Sequence, residues 1–113
     1  MIGLALAAAL TTQQVATSLP NAVFTGVFVT TYPDGRFAKL WLDRDGGYRA
    51  EGRRKDKSSG HWSVKGAKTC LRQSKPAPIP FSFCTEMQDE PGKIWSMRAV
   101  TGEAVSVQLV PGR

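Results

Sequence analysis

One histidine and two cysteines are all that 113 residues hold of those types, and no glycine-rich phosphate loop or G-x-S-x-G elbow accompanies them. These shortages remove most routes by which a small protein does chemistry. A Ser-His-Asp or Cys-His set would have to use His61, which has no nucleophile elbow beside it. The cysteines, Cys70 and Cys84, lack the C-x-x-C spacing of a redox or zinc pair. Glu86, Asp89 and Glu90 cluster at a turn without the alternating oxygen ligands of a calcium loop. Asp43 and Asp45 share one turn and do not read as the carboxylate pair of a glycosidase. A non-enzymatic protein without metal or cofactor is the expectation.

Long polar tracts and internal repeats are missing too. With 42% apolar residues, 21% charged residues, three Trp and five Phe, the chain is not a disordered tail, a collagen or a coiled coil. Its length suits one domain. Lys and Arg outnumber Asp and Glu by 15 to 9, a net charge of +6.

The opening MIGLALAAAL has the length of a signal-peptide apolar core and falls short of a membrane span. Ala16 and Ser18 place small residues where a signal peptidase reads, so residues 1–18 are expected to be a signal peptide and Leu19–Arg113 one mature domain. An amphipathic helix packed on the domain is the alternative for this segment. Export would make the protein periplasmic or secreted, in an oxidising setting where two cysteines most economically form one disulfide. Cys70 and Cys84 each stand seven residues from Ala77, the centre of the proline-rich loop SKPAPIP. In a simple hairpin they face each other within disulfide reach.

From Asn21 onward the pattern is period-two alternation broken by turn residues about every ten positions, the mark of an antiparallel meander. The first strand is expected over AVFTGVFVTTY, ended by Pro33, Asp34 and Gly35. In the second, Ala38, Leu40 and Leu42 share one face, opposite Phe37, Lys39, Trp41 and Asp43. Asp45 and Gly46 turn it, with a residue favouring positive φ. The third runs from Tyr48 to Arg54, KDKSSG reads as a polar tip, and HWSVK is the fourth. The two cysteine-bearing strands follow, then KIWSMRAV and EAVSVQL. Eight short strands predict an all-β fold, an up-and-down meander closing into a small barrel, because closure removes unpaired edges. A β-sandwich is the alternative.

A meander of eight strands with one cross-strand disulfide, spanning about Asn21 to Leu109, resembles the calycin group: lipocalins, avidin-like proteins and small bacterial inhibitors of secreted proteases. The resemblance implies a binding protein. It departs from lipocalins in that the Gly-x-Trp those proteins carry on the first strand is matched only by Gly60, His61 and Trp62, on the fourth. The inhibitors insert an extended N-terminal arm into the enzyme, a part that Leu19, Pro20 and Asn21 would play here.

Three kinds of partner follow. An inhibitor or accessory factor would bind another protein. A small-ligand carrier would use aromatic residues at the barrel mouth, with Trp41, Tyr48, Trp62 and Trp95 as pocket candidates and Phe37, Phe81 and Phe83 beside them; packing in the core is the competing role for them, and Trp41 also reads as a surface anchor. An anion or acidic-surface binder would use the basic segment 49–75, namely Arg49, Arg53, Arg54, Lys55, Lys57, Lys65, Lys68, Arg72 and Lys75, expected on one side of adjacent strands. A solvated face is the plainer account of those charges. Nucleic acid is disfavoured, for want of an RNA-binding aromatic pattern.

Overall fold

A computed structural model describes residues 19–113, so the expected signal peptide lies outside the described residues. Alternation becomes eight strands: β1 (Gly26–Thr31), β2 (Phe37–Leu42), β3 (Gly47–Glu51), β4 (Lys57–Lys65), β5 (Lys68–Lys75), β6 (Phe83–Glu86), β7 (Ile94–Arg98) and β8 (Ala104–Pro111). They form one antiparallel sheet in the order β6-β5-β4-β3-β2-β1-β8-β7. Every hairpin neighbour pairs except β6 with β7, and β8 returns to β1 along a register from Gly26 opposite Pro111 to Thr31 opposite Ser106. The result is an all-β half-barrel. Curling and the β1–β8 ladder match the expected meander, but among the described residues no ladder closes the seam between β6 and β7. A single continuous sheet also sets the sandwich alternative aside.

One face of each strand supplies the interior. Phe28, Leu42, Tyr48, Val105, Val107 and Leu109 are buried there, in step with the period-two pattern. Cys70 and Cys84 are opposed in the β5–β6 ladder, with Cα atoms 4.0 Å apart, and are joined by a disulfide. Their strand neighbours Thr69, Leu71, Phe83 and Thr85 alternate inward, so the disulfide belongs to the outer face, where Cys84 is exposed and Cys70 is covered.

Several expected boundaries change, among them the end of the third strand, which stops at Glu51 because Gly52 to Arg54 enter the β3–β4 turn. The first strand begins at Gly26, not Ala22, because Asn21–Thr25 forms a short helix, α1. Ala22, Val23 and Phe24 are consecutive apolar residues with no alternation to lay on a sheet, and one helical turn buries Val23 against the barrel base. The polar tip KDKSSG is also shorter than expected. Lys57 to Gly60 belong to β4, with Lys57 opposite Glu51 and Ser58 opposite Ala50. Gly52 N–H donates to Asp56 O at 2.7 Å to close the turn below them. A register shift at Ser59/Gly60 then bends β4 against β5. A Cβ on Gly60 would lie 2.0 Å from Arg72 O, so only glycine allows this approach.

The two ends of the half-barrel differ. At the base, α1 and the inner residues pack closely: Phe24 meets Trp62 at 5.7 Å between ring centres, and Phe28 meets Trp95 edge-on at 6.2 Å. At the other end stand the loops β1–β2, β3–β4, β5–β6 and β7–β8. Arg53 ties three of them, donating to both carboxylate oxygens of Glu103 at 2.8 and 3.1 Å, reaching Asp34 at 3.5 Å and lying 4.2 Å over the Tyr32 ring.

Candidate functional site

Curvature without full closure leaves a hollow inside the sheet. A cavity of about 430 Å³ runs from mid-barrel to the loop end, within the range that holds a small organic ligand. Its wall is mainly apolar. Phe28, Leu40, Tyr48 and Ala50 come from β1 to β3, and Leu71, Phe83, Met97 and Val105 from the strands on either side of the seam. Its mouth is formed by all four hairpin loops, through Tyr32, Gly52, Ile79, Phe81 and Val100. Thr30, Tyr48, Gln73 and Thr85 add a few polar groups to this lining. Burial holds the Tyr48 hydroxyl above its ordinary pKa, so it stays a neutral donor across the physiological range. A separate recess of about 360 Å³ lies near α1, with Phe28 and Met87 between it and the cavity.

Strand parity decides where the four aromatic pocket candidates go. Tyr48 lines the cavity. Trp62 and Trp95 lie in the packed base, where Trp62 donates its Nε1–H to Asp43 O at 2.7 Å. Trp95 buries its Nε1–H without an acceptor among the described residues. Trp41 points outward and carries Arg49 at 5.6 Å from its ring centre. Phe81 and Phe83 reach the hollow as expected and Phe37 does not; Phe28 joins them, its shared parity with Thr30 being visible in the sequence.

Arg49, Lys57, Lys65, Lys68, Arg72 and Lys75 share the outer face of β3 to β5, and Arg49, Lys57 and Lys75 line one recess beside Trp41, but the basic segment as a whole is drawn out from end to end of the sheet. Successive strands run in opposite directions, so neighbours in sequence are sent to opposite ends. Arg53, Arg54, Lys55, Lys57 and Lys75 lie at the loop end, Arg49 and Arg72 at the waist, and Lys65 and Lys68 at the β4–β5 turn by the base. Two are committed to ion pairs, Arg49 with Asp43 at 3.2 Å and Arg53 with Glu103. Arg113 joins Asp43 at 2.9 Å. Hydrogen bonding from Arg49, then from Arg113, holds the Asp43 carboxyl below its ordinary range despite some burial.

Comparison with known proteins finds no matching family model, no matching curated protein and no matching solved structure. The site therefore rests on its own geometry. His61 is exposed on the outer face opposite Arg72. Among the described residues no group of three or more His, Cys, Asp or Glu is placed to hold a metal. No described helix is long and apolar enough to cross a membrane, and the disulfide is compatible with an extracellular location. Leu19 packs on the core and Asn21 opens α1, so the N-terminal residues are not laid out as a free arm.

Proposed function

We propose that the protein is an exported, calycin-like carrier or receptor for a small apolar molecule held inside the half-barrel. The observation that carries this reading is the cavity of about 430 Å³, walled by Phe28, Leu40, Leu71, Phe83 and Met97 and open at the loop end. Apolar burial supplies the affinity, and the Tyr48 hydroxyl with the Thr30 and Thr85 side chains orients the ligand. The reading is binding without turnover, with Lys39, Glu51 and Asp56 adding charge to the lining toward the loop end. Oxidation of Cys70 and Cys84 fits a periplasmic or secreted setting, with residues 1–18 removed on export. Mass spectrometry of protein from the producing cell, finding Leu19 at the amino terminus, tests that part.

The binding test is a titration of the oxidised protein with N-phenyl-1-naphthylamine. A saturable fluorescence rise is expected, and it should vanish in Ala50→Trp and in Ala38→Trp, each of which fills the cavity from one wall. An unchanged urea midpoint in either variant shows that the loss is not unfolding. No saturable signal in the natural sequence defeats the reading. The unpaired edges of β6 and β7 favour a second reading, an accessory protein that receives a partner's strand. Blocking the β7 edge with Ser96→Pro should then abolish partner capture while leaving naphthylamine bound.

A further inference from the structure

Among the described residues four large apolar side chains are strongly exposed: Phe37 (59%), Phe81 (62%) and Val100 (71%) stand at the loop end, and Ile94 stands at the opposite end of β7. Phe81 and Val100 rim the cavity mouth. Phe37 lies outside the cavity, in a surface recess shared with Arg36, Lys39, Arg54 and Lys55.

Charge divides the same way. The strand directions put eight cations at the loop end (Arg36, Lys39, Arg53, Arg54, Lys55, Lys57, Lys75 and Arg98) against four acids (Asp34, Glu51, Asp56 and Glu103), a local net of +4. At the base, Arg44, Lys65, Lys68, Lys93 and Arg113 are balanced by Asp43, Asp45, Glu86, Asp89 and Glu90. Only Arg49 and Arg72 remain, at the waist. The net +6 of the chain is thus a neutral base, two arginines at the waist and a mouth that carries the remaining +4. Two of the four acids there, Asp34 and Glu103, are engaged by Arg53.

From this coincidence we infer that the loop end docks on an anionic lipid bilayer, with Phe37, Phe81 and Val100 entering the interface and the surrounding Arg and Lys side chains meeting lipid phosphates. Binding of this kind grows with buried apolar area and with attraction to anionic headgroups, and this end supplies both. A soluble polyanion would use the charges and leave the phenyl rings in water; a bilayer uses both. The orientation also turns the cavity mouth to the membrane, so an apolar ligand could pass between lipid and protein without crossing water. That last step rests on the cavity reading; docking itself does not.

Flotation with vesicles tests it. The oxidised protein should float with vesicles of equimolar phosphatidylcholine and phosphatidylglycerol and stay behind with phosphatidylcholine alone. Each neutralised cation near the surface should weaken binding about fivefold, so Arg54→Gln with Lys55→Gln loses about 25-fold. Phe37→Ser should reduce flotation further at fixed salt, yet keep naphthylamine binding and heparin binding. Ile94→Ser, at the neutral end, should float as before, and Ala50→Trp should float while failing to bind naphthylamine. Failure to float on the anionic vesicles overturns the inference, and so does flotation insensitive to Phe37→Ser and Phe81→Ser, which would mark a polyanion surface instead.

Discussion

The same truncation placed at two depths separates a hollow barrel from a filled one. Leu109 is fully enclosed in the base, opposite Phe28 across the β1–β8 ladder, whereas half-buried Leu71 faces the cavity. Leu109→Ala removes a buried isobutyl group and leaves a void that the ladder cannot close, so a loss of about 4 kcal/mol is expected. At Leu71 the space created merges with a cavity already there. Only part of the transfer free energy is lost, about 1 kcal/mol. Urea unfolding of the oxidised proteins, followed by tryptophan fluorescence, reads the difference. With a slope of about 1.3 kcal/mol per molar, the midpoint falls by about 3 M for Leu109→Ala and by less than about 1 M for Leu71→Ala. A domain of this size has only about 5–10 kcal/mol in hand, so sulfate added equally to all samples secures the native baseline. Equal costs at the two sites would refute the hollow interior, because a filled barrel would respond at Leu71 as it does at Leu109.

Other outcomes follow from single features. Replacing both cysteines by serine reopens a loop with a sequence separation of 14 and should cost about 3 kcal/mol, read as a urea midpoint, without changing the cavity wall, since the disulfide lies on the outer face. Gly60→Ala drives a methyl into the Arg72 carbonyl and the Tyr48 ring; a loss of about 2–3 kcal/mol is expected in the same assay, and a neutral effect would mean β4 and β5 are not so closely apposed. Hydrogen bonds from Arg53, then from Thr101, lower the Glu103 pKa below its ordinary 4.5, so the clasp stabilises above that value and its contribution fades as the pH falls through the folded-state pKa. Acid titration monitored by thermal unfolding should therefore show stability dropping below about pH 4.5, and less steeply in Glu103→Gln.

Where hydrophobic periodicity and chain direction suffice, the fold was legible. Ala38, Leu40 and Leu42, and later Val105, Val107 and Leu109, announce their inner face by parity alone, and the symmetry of Cys70 and Cys84 about Ala77 fixes their register. α1 was missed because Ala22, Val23 and Phe24 are as β-compatible as the strand that follows, and only the need to cover the base favours a turn of helix. The basic segment was legible by face and not by end. Lys57 and Lys65 are both on β4, yet nine residues of extended chain carry them to opposite ends. Trp41, Trp62 and Trp95 were legible as strand residues, but whether an inward ring packs or borders a void depends on the curvature of the whole sheet. That property belongs to no local run of residues.

Because the last strand zips onto the first, the order in space is the order in sequence rotated by two places. Joining Arg113 to Leu19 and opening the chain between Glu86 and Ile94 would yield a permuted protein in which every ladder, from old β7 through β8 and β1 to β6, links consecutive strands. The natural chain must instead bring residues some eighty positions apart together, as Gly26 and Pro111 are, before its sheet is complete. Folding speed falls as contacts become less local, so the permuted chain should refold faster from urea while the natural one waits on its ends to meet.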